Sequence, residues 1–207
     1  MEPARVLVVD PPWGMRDNLP GKGRGARKHY PCMSIEALER FELPPLADDC
    51  VMFLWWLSSM PREALRLVDA WGFREHSQLM WRKMTRTGAK EHFGMGRIVR
   101  GAHEPCMIAV RGRVPRVKSR SERSTFSAPV GRHSEKPGAF YSIVERLFDG
   151  PYVELFARKH RAGWTCFGNE LGGDNDATDT TGAARAAAER PGLVGARRAH
   201  GTRAIAG

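Results

Sequence analysis

Val6-Leu7-Val8-Val9-Asp10-Pro11-Pro12-Trp13 joins four apolar residues to an acidic, proline-containing turn. Its four apolar residues predict a buried strand, and the two prolines end that strand because neither has an N–H group to donate to a sheet. An acid, a rigid turn and a large aromatic side chain are therefore held at the carboxyl end of a strand, where open α/β sheets bind ligands. A carboxylate and a main-chain carbonyl accept hydrogen bonds from an amino group, and an aromatic face stacks on a flat ring, so the turn suits a nucleobase amine.

The charge of the chain favours a polyanionic partner. The 207 residues carry a formal net charge of +10, and residues 172–207 hold five arginines against four acids. Nearly all of the excess therefore lies in the body of the protein, where such a field favours nucleic acid. The alternative is a solvated basic surface without such a partner.

Length and composition bound the class of protein. A chain of this length favours one folded domain with a hydrophobic core. It contains no apolar run long enough to span a membrane and begins without a signal-peptide pattern, so we expect a cytoplasmic protein. The four cysteines show no Cys-x-x-Cys spacing, so we expect free thiols and no metal site.

Strand-like and helix-like segments alternate along the chain, which predicts an α/β sheet with helices on both faces. The predicted strands are residues 5–10, 51–57, 76–81, 105–111, 152–156 and 164–167. The predicted helices are residues 35–41 behind a Ser34 cap, a helix near Pro61 that is capped by Ser58 or Ser59 and ends at Gly72, and residues 137–148.

The segments between these elements differ in character. Residues 14–33, 82–102 and 112–132 are rich in basic residues and in glycine or serine, and are interpreted as loops. Gly94-x-Gly96 in the second loop has no strand-to-helix context and is not interpreted as a nucleotide loop. Residues 172–207 contain few large apolar side chains and are expected to form a disordered tail behind a single domain at residues 1–171.

Further motifs follow the first turn in a fixed order. They are Tyr30-Pro31-Cys32-Met33-Ser34, Phe53-Leu54-Trp55-Trp56, His103-Glu104, Ser134-Glu135-Lys136-Pro137, Glu154-Leu155-Phe156-Ala157-Arg158 and Gly168-Asn169-Glu170. In this order the chain resembles the MT-A70 adenine-N6 methyltransferases over residues 6–171. The resemblance implies a Rossmann-like fold with a permuted motif order, S-adenosylmethionine as methyl donor, and methylation of the N6 amine of adenine.

The resemblance makes Asp10, Pro11, Pro12 and Trp13 the catalytic turn. The adenine amine is a weak nucleophile because its lone pair is delocalised into the ring. Acceptance of its hydrogens by the Asp10 carboxylate and the Pro11 carbonyl would free that lone pair, and the prolines fix both acceptors in advance. Trp13 is expected to stack on the base. The alternative is an ordinary turn in which Trp13 is a core side chain.

The resemblance also assigns the donor site. The implied donor-binding residues are Asp10, Lys136, Glu154, Phe156, Arg158, His160, Asn169 and Glu170. Carboxylate, amide and guanidinium groups can satisfy the two ribose hydroxyls, and Lys136, directly before a helix, would neutralise the donor carboxylate. For Glu154 and Arg158 the alternative is a surface salt bridge at a strand end.

Four residues are candidates for binding the substrate base: Trp13, Tyr30, His103 and Glu104. Tyr30 either forms part of the base pocket or anchors its loop. His103-Glu104, placed in a basic loop before a strand, is either a loop-anchoring pair or a substrate contact.

The three basic loops are expected to lie on the catalytic side of the sheet and to hold phosphates, with the target base flipped into the site. The compact chain resembles bacterial and phage DNA-modifying members of the family, so DNA is favoured over RNA. The alternatives are N6-adenine methylation of RNA, a non-catalytic nucleic-acid-binding member of the same fold, and methylation of a protein amide. A non-catalytic member predicts a broken catalytic turn, whereas Asp10 and Trp13 are both present.

Overall fold

The structure is a computed structural model that describes residues 1–14, 32–94, 96, 98–131, 135–169 and 171. Its strands are Ala4–Val9 (β1), Leu46–Trp55 (β2), Arg74–Met84 (β3), His103–Arg111 (β4), Thr125–Pro129 (β5), Tyr152–Leu155 (β6) and Trp164–Phe167 (β7). Its helices are Ile35–Glu39 (α1), Pro61–Ala70 (α2) and Gly138–Leu147 (α3). Tyr30, Glu170 and the proposed tail at 172–207 lie outside the described residues.

The strands form one mixed sheet in the order β5-β3-β4-β2-β1-β6-β7. Only β4 is antiparallel to its neighbours, β2 and β3; the other pairings are parallel. Six strands therefore end at the same edge of the sheet, here called the carboxyl edge, where β4 begins. The chain extends the sheet from β1 first towards β2 and later towards β6, so β1 lies at a switch point, where α/β sheets bind ligands.

The two central strands, β1 and β2, are buried because helices cover both faces of the sheet. Leu7 and Val9 pack on one face in a cluster that includes residues of α1 and α2. Val6 and Val8 pack on the other face in a cluster that includes residues of α3. Near-continuous apolar runs are typical of strands buried in this way. The α/β class and the coverage of both faces are thus confirmed.

Helix boundaries follow local chemistry in two of the three helices. Ser34 accepts a hydrogen bond from the Ala37 N–H group and caps α1, as predicted. The prediction of a Ser58 or Ser59 cap for α2 is wrong, because its N-cap is Met60, which makes no side-chain cap bond. Pro61 at the first position fixes φ there, and Gly72 closes the far end with a φ of +73°.

Two segments interpreted as loops contain strands. β4 begins at His103, so His103 and Glu104 belong to a strand and not to the loop before it. β5 lies within the segment 112–132, which composition alone marked as flexible. β5 is an edge strand that pairs only with β3 and buries only Ala128. Main-chain pairing therefore defines it, and its side chains carry little apolar signal.

The loop after β4 does not lie where it was expected. Because β4 runs against its neighbours, residues 112–124 start at the edge opposite the carboxyl edge. Two contacts support this position. Arg113 N–H donates to Asp49 near the start of β2, and Lys118 pairs with Asp149 just after the end of α3. The expectation that this basic loop lies on the catalytic side is wrong.

Two further expectations concern cysteines and membranes. The four cysteines are free thiols, and Cys50 and Cys106 are buried. In the part of the chain that the structure describes, no helix is both long and apolar enough to cross a membrane.

Candidate active site

Four charged side chains meet at the carboxyl edge. Asp10 directly follows β1, Lys136 precedes α3, Glu104 is the second residue of β4, and Lys83 is near the end of β3. Lys136 Nζ lies 2.7 Å from Asp10 Oδ2 and 3.4 Å from Glu104 Oε2. Lys83 Nζ lies 2.6 Å from Glu104 Oε1. Asp10, Lys136, Glu104 and Lys83 thus form a network of alternating charge, here called the charge network.

Lys136 and Glu104 are held in their ionised forms although both are largely buried. Only 7% of the Lys136 side chain is exposed. Burial favours a neutral amine, but the Asp10 and Glu104 carboxylates outweigh it and raise the pKa of Lys136. Burial likewise favours a neutral Glu104, but Lys136 and Lys83 outweigh it and lower the pKa of that carboxyl. The Lys136 ammonium also lies 5.2 Å from the centre of the Trp55 ring, a favourable contact for a cation.

The Asp10–Trp13 turn is fixed by main-chain hydrogen bonds. Trp13 N–H donates to the Pro11 carbonyl at 2.8 Å, and Met33 N–H donates to the Pro12 carbonyl at 2.9 Å. A carbonyl oxygen has two lone pairs, so Pro11 keeps one for a ligand amine. Gly14 must lack a side chain, because a Cβ there would lie 2.8 Å from the Met33 carbonyl oxygen.

The side chain of Trp13 is a core residue in this structure. It is 5% exposed, and its indole N–H donates to the Trp55 carbonyl at 2.9 Å. This contact ties the turn to the end of β2. The position of the ring therefore agrees with the alternative, in which Trp13 is a core side chain. Stacking of Trp13 on a base stays a prediction, and no open ring face in this structure supports it.

A second cluster lies beside the charge network, on β6 and α3. Glu154 is 7% exposed and accepts a hydrogen bond of 2.6 Å from the Tyr141 hydroxyl. Burial raises the pKa of Glu154, and it also raises the pKa of Tyr141, so Tyr141 stays a donor. The Arg161 guanidinium carbon lies 3.4 Å from the centre of the Tyr141 ring, and Arg161 Nε is buried without a hydrogen-bond partner. Glu154 is therefore not part of a surface salt bridge.

A pocket joins the two clusters. Its lining residues are Asp10, Glu135, Lys136, Tyr141, Glu154, Phe156, Arg158 and Lys159. Five of them, Asp10, Lys136, Glu154, Phe156 and Arg158, are among the residues predicted to bind the donor. Three carboxylates and three cations line it, which matches a ligand that carries both an ammonium and a carboxylate group together with hydroxyls.

The turn after β6 forms one wall of the pocket in a strained conformation. Phe156 has a φ of +60°, which side-chain-bearing residues rarely adopt. Ala157 N–H donates to the Phe167 carbonyl at the end of β7. Gly168 allows this approach, because a Cβ there would lie 1.9 Å from the Ala157 carbonyl oxygen. Such strain is found where surrounding structure holds a functional site in place.

Other predicted residues lie away from the pocket lining. His160 and Asn169 are exposed, and His103 is exposed because its side chain points to the opposite side of β4 from Glu104. Tyr30 and Glu170 are outside the described residues. Among the described residues, no cluster of three or more His, Cys, Asp or Glu side chains could hold a metal ion.

Sequence reasoning missed five residues of this site: Lys83, Glu135, Tyr141, Lys159 and Arg161. Lys83 reaches Glu104 because β3 and β4 are paired, which places Arg82 opposite His103. Tyr141 was detectable in principle, since its hydroxyl lies among the otherwise apolar buried residues of the helix that follows Lys136. Arg161 lies in a run of basic residues, in which no local pattern distinguishes it.

Comparison with known proteins identifies the family. The MT-A70 family model matches residues 4–170. The chain is 27% identical over 177 residues to an N(6)-adenosine-methyltransferase MT-A70-like protein of Arabidopsis thaliana, covering 81% of this chain and 24% of that protein. It is 27% identical to the N(6)-adenosine-methyltransferase catalytic subunit METTL3 of Homo sapiens, covering 81% of this chain and 28% of METTL3.

A shorter relative is covered more fully. The chain is 25% identical over 187 residues to the type II methyltransferase M.MunI of Mycoplasma sp., covering 81% of this chain and 77% of that protein. By contrast, it spans about a quarter of the length of the plant and human relatives. Since the family model spans nearly the whole described part, the chain belongs to the MT-A70 family.

Proposed function

We propose that this protein transfers a methyl group from S-adenosylmethionine to the N6 amine of adenine in DNA. One observation carries the proposal. In a chain of the MT-A70 family, Asp10 stands at the end of β1 on the wall of the pocket, and its Oδ2 atom is fixed 2.7 Å from Lys136 Nζ. A carboxylate in this position is available both to the donor and to an amine.

The pocket residues suit S-adenosylmethionine, which supplies an electrophilic methyl group when bound. Asp10 would accept hydrogen bonds from the ammonium group, and Lys136 would pair with the carboxylate. Glu154 and Arg158 offer an acceptor and a donor for the ribose hydroxyls. The buried Arg161 Nε–H, which has no partner, is a further donor close to this wall.

Asp10 also activates the amine. A carboxylate has about four lone-pair positions, so its bond to Lys136 leaves room to accept an amine hydrogen. Together with the remaining lone pair of the Pro11 carbonyl, it draws the amine nitrogen towards tetrahedral geometry. The charged Lys136 cannot take a proton, so the Asp10 carboxylate is the acceptor for the proton that the methylated nitrogen releases.

Two observations support DNA as the substrate. The chain resembles DNA-modifying members of the family, and it covers 77% of the type II methyltransferase M.MunI. A basic segment also projects from the carboxyl edge between β3 and β4. The second candidate is RNA, because the plant and human relatives are named for adenosine.

The test is methyl transfer from a tritiated donor to separate samples of DNA, RNA and protein extract. Label is expected in DNA. The Asp10→Asn variant is expected to lose at least about a hundredfold in rate, because it removes the charge on which both donor binding and amine activation depend. Asp49→Asn, on the opposite edge, serves as the control. Label in RNA alone would overturn the substrate, and full activity of Asp10→Asn would overturn the mechanism.

A further inference from the structure

An arm of residues 85–102 projects from the carboxyl edge between β3 and β4. Its described residues from Arg86 to Gly101 are all exposed. Main-chain bonds hold it as a ribbon, with Thr85 N–H donating to the Lys90 carbonyl and Gly94 N–H to the Gly101 carbonyl, both at 2.8 Å. The arm is therefore an ordered projection that adds nothing to the hydrophobic core.

The arm is rooted in the charge network. The Lys83 N–H donates to the Ala102 carbonyl, and the Lys83 carbonyl accepts from His92 N–H, both at 2.9 Å. The same residue pairs with Glu104 through its side chain. Whatever binds the arm is therefore held next to the site of methyl transfer.

Near the tip of the arm, the approach of Gly96 to Val99 requires glycine. A Cβ on Gly96 would lie 1.8 Å from the Val99 carbonyl oxygen. This close approach gives the Gly94-x-Gly96 sequence a structural role, although it is not a nucleotide loop. The tip presents two neighbouring apolar side chains, Ile98 at 97% exposure and Val99 at 77%.

The arm carries a third exposed apolar residue besides Ile98 and Val99. Phe93, further down the arm, is 60% exposed. Single exposed apolar residues are ordinary on protein surfaces, but three on one projecting segment that lacks a core of its own indicate a binding element.

The charge of the arm selects its partner. Its described residues include Arg86, Lys90 and Arg100 but only one acid, Glu91. The whole chain carries +10, so a second copy would bring charge of the same sign. A polyanion is complementary to the arm. Apolar side chains flanked by cations are also the composition of wedges that proteins insert between base steps.

We propose that Ile98 and Val99 form a wedge that enters the base stack of duplex DNA beside the target adenine and holds the stack open while that base is flipped. The proposal rests on the proposed function. Val99 lies five positions before Glu104, a span of at most roughly 17 Å when extended, or about five base-pair steps. The tip can therefore reach nucleotides within about five base-pair steps of the one that enters the pocket.

Methylation kinetics test the wedge. The target sequence is first mapped on unmethylated bacterial genomic DNA, and kcat/KM is then measured on a matched duplex, a duplex mismatched at the target and a single strand. For the Ile98→Ser/Val99→Ser variant we expect a loss of at least about tenfold on the matched duplex and little change on the other two, because a mismatched or single-stranded target base costs less to flip. The control is Val114→Ser, a 41% exposed valine in the loop at the opposite edge, which is expected to match the wild type. An equal loss on all three substrates would overturn the wedge.

Permanganate oxidation of unstacked thymines tests the wedge without methyl transfer. Wild type and Val114→Ser bound to a duplex pool are expected to increase the oxidation, whereas Ile98→Ser/Val99→Ser is not. A wild type that leaves oxidation unchanged, or a wild-type dimer in sedimentation that the tip variant converts to a monomer, would overturn the proposal. A wild type that increases oxidation but methylates no DNA would contradict the proposed function alone.

Discussion

Lys136 is the residue on which the geometry of the site depends. It contacts both Asp10 and Glu104, so it offsets the repulsion between two carboxylates that converge from different strands. Because Lys136 is buried, both its presence and its removal have a large effect on the site. With both partners present it orders the site, whereas its removal leaves two neighbouring charges without compensation.

Replacing Lys136 with Met tests that dependence. We expect the free energy of unfolding to fall by about 3 kcal/mol, because two partly buried carboxylates lose their cation. Urea denaturation measures it. Lys118→Met is the control, since its pair with Asp149 is exposed and is expected to contribute little to stability. Equal effects of the two substitutions would contradict the role given to Lys136.

Glu104 gives the network a pH dependence. Its pKa in the folded protein lies below its ordinary value of 4.5, so the unfolded chain binds more protons as the pH falls, and the stability that Glu104 contributes is lost. Glu104→Gln lacks this contribution. In urea denaturation between about pH 6.5 and 3.5, the difference in stability between wild type and variant is expected to shrink as the pH falls. A constant difference would contradict the assignment.

Among the secondary-structure elements, the end of β6 and the end of β7 together shape one wall of the pocket. Gly168 lets the β7 end approach Ala157, and this contact supports the strained Phe156 on the pocket wall. The site therefore depends on a main-chain packing contact as well as on side-chain chemistry.

Gly168→Ala tests this packing. The added methyl group meets the Ala157 carbonyl oxygen, so we expect a loss of about 2 kcal/mol in stability and weaker donor binding by calorimetry. Gly138→Ala is the matched control. A Cβ there meets nothing within 4 Å, and at the start of α3 it should stabilise the helix by up to about 1 kcal/mol. A Gly168→Ala protein that binds the donor normally would show that the wall does not need this contact.

The sequence predicted those elements whose side chains carry the signal. β1 and β2 are continuous apolar runs, and Ser34 and Gly72 mark helix ends by their own chemistry. β5 was missed because an edge strand is defined by main-chain pairing to β3. The Lys83–Glu104 pair was missed because it depends on the register between β3 and β4. The predicted position of the loop after β4 was wrong because the local sequence does not determine the direction in which a strand runs.

At the scale of the whole molecule, the excess positive charge is distributed over both edges of the sheet. The arm lies at the carboxyl edge, and the basic loop at residues 112–124 starts at the opposite edge. Of these two segments, only the arm lies at the edge where it could hold a nucleic acid against the pocket. The total charge therefore overstates how much of the surface contacts a substrate.

The salt dependence of DNA binding tests this division. The Arg86→Ser/Lys90→Ser variant is expected to bind DNA more weakly. The slope of log K against log salt should decrease in magnitude by roughly 1.8, for two lost phosphate contacts. Arg113→Ser/Arg116→Ser, in the opposite loop, removes the same charge and should leave the slope close to that of the wild type. An equal decrease of the slope in both variants would show that both edges contact DNA, and an unchanged slope in both would contradict the role of the arm.

The most direct measurement of the central claim is mass spectrometry of nucleosides from DNA incubated with the protein and a donor that carries a deuterated methyl group. The wild type is predicted to yield N6-methyl-2′-deoxyadenosine with three deuterium atoms, and Asp10→Asn at least about a hundredfold less. Deuterium on any other nucleoside, or an undiminished yield from Asp10→Asn, would contradict the account.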